Sequence, residues 1–185
     1  MLRSATLVLA LAGALLAETP QVEIDKEVAS FSVSGLDGKD VALPDLYGKD
    51  DKAVVVVFWS TTCPVCAAQL ARLMEISSQY AEKGVKFVLV NPNPSEDVDA
   101  VRSYLEAKKL DLSFLRDAKK TAMKQFAAQV TPACYLLDAK HVLRYMGMME
   151  QGRPGKKGYT GYLPDAIDAL LAGKDVKTKS SQSSG

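Results

Sequence analysis

Phe58-Trp59-Ser60-Thr61-Thr62-Cys63-Pro64-Val65-Cys66 is the stretch that decides how this chain is read. It follows Ala53-Val54-Val55-Val56-Val57-Phe58, a short, continuous, β-branched run of the kind that forms a buried strand. The residues after it, from Pro64 to about Glu82, predict a helix. Two cysteines three apart at a strand-to-helix turn stand ~5–6 Å from one another on one helical face, a separation a disulfide can close. Proline after Cys63 suits the first helical position, where a missing N–H is not needed. Cys63 is then the N-cap, beside free amide groups and the positive end of the helix dipole. A thiolate is favoured there, so Cys63 is expected to be the nucleophile and Cys66 its buried resolving partner.

Other uses of two cysteines are weaker. A structural zinc site needs four ligands, and the remaining candidates, Cys134 and His141, are seven apart. Met146, Met148 and Met149 offer soft thioethers that suit Cu(I), although methionines near a strand end more commonly serve packing. Cys134 is read first as a small buried hydrophobe in a central strand, and otherwise as a third thiol near the site. His141 falls in a hairpin turn and reads as a surface residue.

Working outward, Ser4 to Ala17 is an unbroken run of small and apolar residues behind the single charge of Arg3. This is the pattern of a secretory signal peptide over residues 1–17; it is short for a bilayer span, which takes ~20 residues. A periplasmic or secreted location is expected, with membrane anchoring as the alternative if the signal is not cleaved. Removing it leaves 22 basic and 22 acidic residues, a balance that disfavours nucleic acid as a partner. Residues 18–173 are expected to form one domain. Residues 174–185, rich in Lys and Ser, are expected to be a disordered tail.

Phe31–Ser34 and Val41–Leu43 flank an Asp37-Gly38 turn and predict a hairpin. Val85–Val90 predicts a strand, Ser95 caps a helix from Glu96 to Lys109, and Asp117 caps another through about Ala128. Cys134–Leu137 and Val142–Met146 predict a second hairpin. Met148–Tyr162 reads as an irregular loop, followed by a last helix from Pro164 to Leu171. Strands alternating with helices imply an α/β fold, a mixed sheet with helices on both faces.

With Phe58-Trp59, Cys63-Pro64-Val65-Cys66, Thr131-Pro132 and this order of elements in view, the chain resembles the thioredoxin superfamily. It is most similar to the exported redoxin branch, which contains TlpA-like and ResA-like thiol-disulfide oxidoreductases and the AhpC/TSA domains. The resemblance covers about Val28 to Leu171 and implies a thioredoxin-like fold with an extra N-terminal hairpin. It implies a cis Thr131–Pro132 bond beside the dithiol, with backbone groups of Thr131 open to an extended substrate. Trp59, Thr62, Pro64, Val65, Thr131 and Pro132 are the implied substrate-binding residues. The implied activity is thiol-disulfide exchange through Cys63 and Cys66 with no cofactor beyond that redox-active disulfide. A protein or small-molecule disulfide is the implied substrate, a membrane-linked dithiol protein the electron donor, and a monomer the expected state.

The chain also departs from the pattern. The buried Asp of thioredoxins, six residues before the first cysteine, is Val57 here, and the Glu that many TlpA-like proteins place three after the second is Gln69. Water or an unidentified acid is left to move the resolving thiol's proton. A peroxidase of the same fold would show Pro-x-x-x-Thr-x-x-Cys; Ser60 occupies the Thr position and Val56 the Pro position.

Overall fold

The structure is a computed structural model, described over residues 22–182. The signal peptide expected over residues 1–17 lies outside that range.

The chain is built around β3 (Ala53–Phe58), all of whose residues are buried. A strand covered on both faces needs apolar side chains at every position, and Ala-Val-Val-Val-Val-Phe supplies them. Its side chains divide by the strand's period of two. Val55, Val57 and Trp59 enter one core cluster with helix α1, while Val54, Val56 and Phe58 enter a second on the opposite face.

Seven strands form one mixed sheet in the order β2-β1-β5-β4-β3-β6-β7. β3 runs parallel to β4 (Val85–Asn91), and β4 parallel to β5 (Ser113–Arg116). β6 (Ala133–Asp138) pairs antiparallel with β3, and β7 (Leu143–Gly147) antiparallel with β6. β1 (Ser32–Gly35) and β2 (Asp40–Ala42) form the expected N-terminal hairpin, which joins the sheet through β5. Gly38 turns it with φ +82°, a conformation that suits glycine.

Helices α1 (Pro64–Ala81), α2 (Val98–Lys108) and α4 (Tyr162–Leu171) contribute to the first cluster. The short α3 (Thr121–Gln125) packs into the second. Helices on both faces of a mixed sheet match the expected α/β, thioredoxin-like class.

Several boundaries differ from expectation. α2 is capped by Asp97, whose carboxylate accepts from the N–H groups of Asp99 (2.9 Å) and Ala100 (3.1 Å), so Ser95 is not the cap and Glu96 lies before the helix. Asp117 does serve the next helix, accepting from Thr121 N–H (2.8 Å) and Met123 N–H (2.7 Å), but that helix is only one short turn. The loop after β7 is irregular as expected. Arg72 on α1 fastens it, donating from Nε to Glu150 (2.8 Å) and from its terminal nitrogen to the Tyr159 hydroxyl (3.2 Å).

The expectation of a disordered tail from residue 174 fails for residues 174–182. Val176 is buried beside α4, and the chain then runs along the free edge of β7. Met146 N–H donates to Lys179 O, and Ser181 N–H donates to Met146 O, both at 3.0 Å. The Ser181 hydroxyl accepts from Met148 N–H (2.8 Å) and bonds the Tyr145 hydroxyl (2.6 Å). Lys179 pairs with Asp25. Composition pointed to disorder because one apolar side chain and an edge strand's unpaired backbone groups do not show in a count of lysines and serines.

Gly147 makes this seat possible. Its φ is +139°, and a Cβ there would lie 2.2 Å from Ser181 O. Gly147→Ala is therefore expected to expel residues 179–182 and lower stability by about 1–3 kcal/mol. Trypsin cleavage after Lys177 and Lys179 should speed up in the native state, and unchanged cleavage would refute this account.

Candidate active site

Cys63 is the N-cap of α1, in extended conformation (φ −78°, ψ 122°) with Pro64 at the first helical position. Its thiol is partly exposed and donates to Thr131 O at 3.2 Å. The Thr131–Pro132 bond is cis, so the two motifs that lie 68 residues apart in the sequence meet at this sulfur. Partial burial works against ionisation of Cys63. The N–H of Cys66, the side chains of Thr131 and Cys66, and the N–H of Val65 outweigh it and hold the pKa below that of an ordinary thiol.

Cys66, one turn on, is fully buried. Burial pushes its pKa up to about 12, and the neighbouring Cys63 adds to the rise. All three cysteines carry free thiols. The pair is thus asymmetric, one sulfur partly exposed with a lowered pKa, the other enclosed and protonated.

Cys134 is 1 % exposed, lies on β6 opposite Val57 in register, and belongs to the same cluster as Cys66. Burial, with the charge of Cys66 added, raises its pKa to about 12. A thiol so enclosed is inert towards bulky reagents.

Thr62 and Pro64 are exposed and Val65 and Thr131 half-buried, so these four form an accessible rim around Cys63. Pro132 is buried beneath them. Trp59, implied as a substrate contact, is wholly buried. It follows directly on β3 with its N–H bonded to Val90 O (2.9 Å), and the strand's alternation turns its ring into the core under the dithiol. It supports the site from inside.

The methionine cluster does not converge. Met149 is buried in the first core cluster, whereas Met146 packs against the second. His141 stands in the β6–β7 turn with its ring 4.7 Å from that of Tyr47. Among the described residues no three His, Cys, Asp or Glu side chains come together as a metal site would require.

Glu96 is the residue that sequence reasoning did not find. It is 6 % exposed, and its carboxylate gathers the turn that leads into Cys63. Ser60 and Thr61 donate to it through their hydroxyls, Thr61 through its N–H at 3.1 Å, and Thr62 through its hydroxyl at 3.2 Å. Asn91 and Asn93 add side-chain amides at 2.8 and 3.2 Å. Burial opposes its charge, but the donors of Ser60, Thr61 and Asn91 prevail, and its pKa lies below the usual carboxylate value. Ionised Glu96 is held by these hydroxyl and amide donors, in the manner of carboxylates that accept several N–H and O–H bonds, while the Arg116 guanidinium bonds its backbone carbonyl at 2.9 Å. The available signal was topological. Adjacent parallel strands end at the same edge of a sheet, so the loop after β4 had to lie beside the loop after β3.

Residues 24–146 match the model of the AhpC/TSA family. The thiol-disulfide oxidoreductase ResA of Bacillus cereus is 28% identical over 145 residues, which covers 77% of this chain and 80% of ResA. The sporulation thiol-disulfide oxidoreductase A of Bacillus subtilis is 28% identical over 129 residues, 69% of this chain and 74% of that protein. A hypothetical protein of Sinorhizobium meliloti, solved by crystallography, superimposes with TM-score 0.74 at 30% identity, covering 88% of this chain and 91% of that one.

Glu96→Gln would point an amide's own donors at the hydroxyls and N–H that Glu96 receives. A loss of about 1.5–3 kcal/mol is expected, the range for hydrogen bonds to a charged group. Because the folded pKa is depressed, the wild-type contribution is present above the ordinary carboxylate range and lost as pH falls through and below it. Denaturant titrations of both proteins at pH 7 and pH 3 should show the gap narrowing with acid; a gap that stays constant would contradict this role.

Proposed function

The chain belongs to the AhpC/TSA family and is a thiol-disulfide oxidoreductase, and on that premise we propose that it is an exported enzyme working through a Cys63–Cys66 dithiol-disulfide cycle. The thiolate of Cys63 attacks a substrate disulfide. A Cys63–substrate bond forms, the substrate's S–S bond breaks, and the displaced sulfur leaves as a thiolate and takes up a proton. Cys66 then loses its proton and attacks Cys63 Sγ, displacing the second substrate sulfur. The substrate has gained two electrons and two protons, and the enzyme holds a Cys63–Cys66 disulfide, to be reduced again by another dithiol protein. No further cofactor enters this cycle.

The observation that carries this reading is the contrast between the two sulfurs. The nucleophile must be accessible and more readily ionised than an ordinary thiol, and Cys63 is partly exposed with its pKa held below the ordinary thiol value. The resolving thiol should stay protonated until a mixed disulfide stands beside it, and Cys66 is buried with a pKa near 12. Thr131, with its carbonyl beside Cys63, and the rim of Thr62, Pro64 and Val65 are suited to an extended protein segment bearing the disulfide. The apolar run at residues 4–17 supports export. Among the described residues no helix is long and apolar enough to cross a membrane. A peroxidase is less well supported. Ser60, at the position where a peroxidase needs a hydroxyl for its substrate, is engaged by Glu96 and Thr62, and Val56 is buried in β3.

Insulin reduction driven by dithiothreitol should be accelerated by the wild type and not by Cys63→Ser. Cys66→Ser should accumulate covalent adducts, and equal rates for all three proteins would end this reading. Alkylation of the reduced wild type by iodoacetamide should rise with pH as the Cys63 thiolate fraction rises. Its midpoint should lie below the ~8.5 of a free cysteine, while Cys66 stays unmodified throughout. A midpoint at or above the free value would remove the electrostatic basis for the assignment.

A further inference from the structure

The loop after β7 carries a charge pattern that the dithiol cycle leaves unused. β7 ends at Gly147, which pairs in register with Cys134, two residues beyond the cis-bonded Pro132. The chain therefore leaves the sheet at the dithiol end, and Met149 enters the core cluster that holds Cys66. Within the loop, residues 151–160 fold out as a short hairpin. Gln151 N–H donates to Thr160 O (2.8 Å) and Thr160 N–H to Gln151 O (2.9 Å). The Tyr162 hydroxyl donates to Gln151 Oε1 at 2.8 Å. Lys156 N–H donates to Arg153 O (3.0 Å) and Tyr159 N–H to Lys156 O (3.2 Å), which shapes the tip.

Residues 151–158 are all exposed, and Arg153, Lys156 and Lys157 stand close together among them. No acidic residue follows Glu150 until Asp165. Glu150 is itself committed, paired with Arg72 at 2.8 Å. Among the described residues no carboxylate forms an ion pair with any of these hairpin cations. Beyond residue 17 acids and bases balance, so the matching acidic excess is spread over the rest of the chain.

The hairpin stands on α1. Arg72 holds Glu150 and the Tyr159 hydroxyl at its base. Val65, Gln69 and Arg72 follow at i, i+4 and i+7, one stripe along the helix. That stripe begins at Val65, in the rim around Cys63, and Arg72 lies ~10 Å further along the axis at ~1.5 Å per residue. An extended polypeptide seated at the rim covers that span in about three residues.

We propose that the 151–160 hairpin is a docking surface for an acidic segment of the protein substrate, lying about three to six residues from the cysteine that Cys63 attacks. The inference rests on the dithiol cycle proposed above and gives its substrate a charge preference. The base of the hairpin is fixed by its own bonds, so little order has to be imposed on binding. Exposed cations of this kind speed encounter with an oppositely charged partner, and salt screens them. A lipid surface fits less well, because residues 151–158 hold no Trp, Phe or Leu to enter the lipid boundary.

Two peptides with the same internal disulfide test this, one carrying glutamates at the stated distance from its cysteines and the other glutamines. Reduced protein is mixed with each, and formation of the Cys63–Cys66 disulfide is timed by acid quench. At about 10 mM salt, where the screening length is ~30 Å, the wild type should oxidise roughly 10-fold faster with the glutamate peptide. The ratio should approach one at about 1 M salt. It should be near one at either salt in a variant carrying Arg153→Gln, Lys156→Gln and Lys157→Gln. Equal rates with both peptides in the wild type, or a preference that survives in the variant, overturn the proposal. No reaction of the wild type with either peptide would strike at the dithiol cycle instead, and a glutamate peptide with serines for cysteines then decides docking alone. It should shift the amide resonances of residues 151–160 in the wild type, and their staying in place overturns the proposal. Pelleting of the wild type but not the variant with phosphatidylserine vesicles at about 150 mM salt would assign the hairpin to lipid and overturn it as well.

Discussion

The site depends on where α1 begins. Unbonded amides favour a thiolate only within the first turn of a helix, so a start displaced by a turn would leave Cys63 as an ordinary thiol. Three constraints hold that start. Pro64 cannot donate the bond that would extend the helix backwards. β3 is clamped between β4 and β6 and delivers the chain to a fixed point. The intervening Ser60–Thr62 turn is held by the Glu96 carboxylate. The chemistry of one sulfur therefore draws on both neighbours of a buried strand and on the loop after the next one.

Glu96 and the dithiol also show how charge is arranged without ion pairs. A buried carboxylate that met a lysine or arginine would attract it strongly, but would also place a positive charge beside the thiols. Hydroxyls and amides hold the Glu96 carboxylate through short-range dipoles whose field falls off faster than a full charge. Cys63 is stabilised in the same way, by amide groups. Its ionisation then depends on oriented groups inside the fold and less on the salt content of the surroundings, which screens exposed charges most.

Much of the fold was legible in the sequence because each element announced itself with local chemistry. The all-apolar run of β3, Asp37-Gly38 in the first hairpin, and Pro64 behind Cys63 each carry a period or a turn preference that needs no tertiary context. The asymmetry of Cys63 and Cys66 followed from helix geometry alone. What was missed depended on residues distant in sequence. Glu96 reads locally as a residue in the first turn of a helix, and only the parallel pairing of β3 with β4 reveals that it faces Ser60. Trp59 has a motif neighbour's reputation as a contact residue, but strand alternation sends it inward. Lys179 to Ser181 look like a solvated tail because their partners on β7 contribute backbone groups, which composition does not register.

The seating of residues 179–181 along β7 has a consequence for how this molecule behaves among other chains. A sheet with an open border invites lateral addition by any extended segment. Here one border is occupied by the chain's own last described residues, and the other, β2, is three residues long. Contact with unfolded polypeptide is thereby steered away from indiscriminate backbone pairing at the flanks, where it would lead towards fibrous aggregates. In the proposed cycle it falls instead to the half-buried Thr131 beside Cys63, where an encounter can end in release.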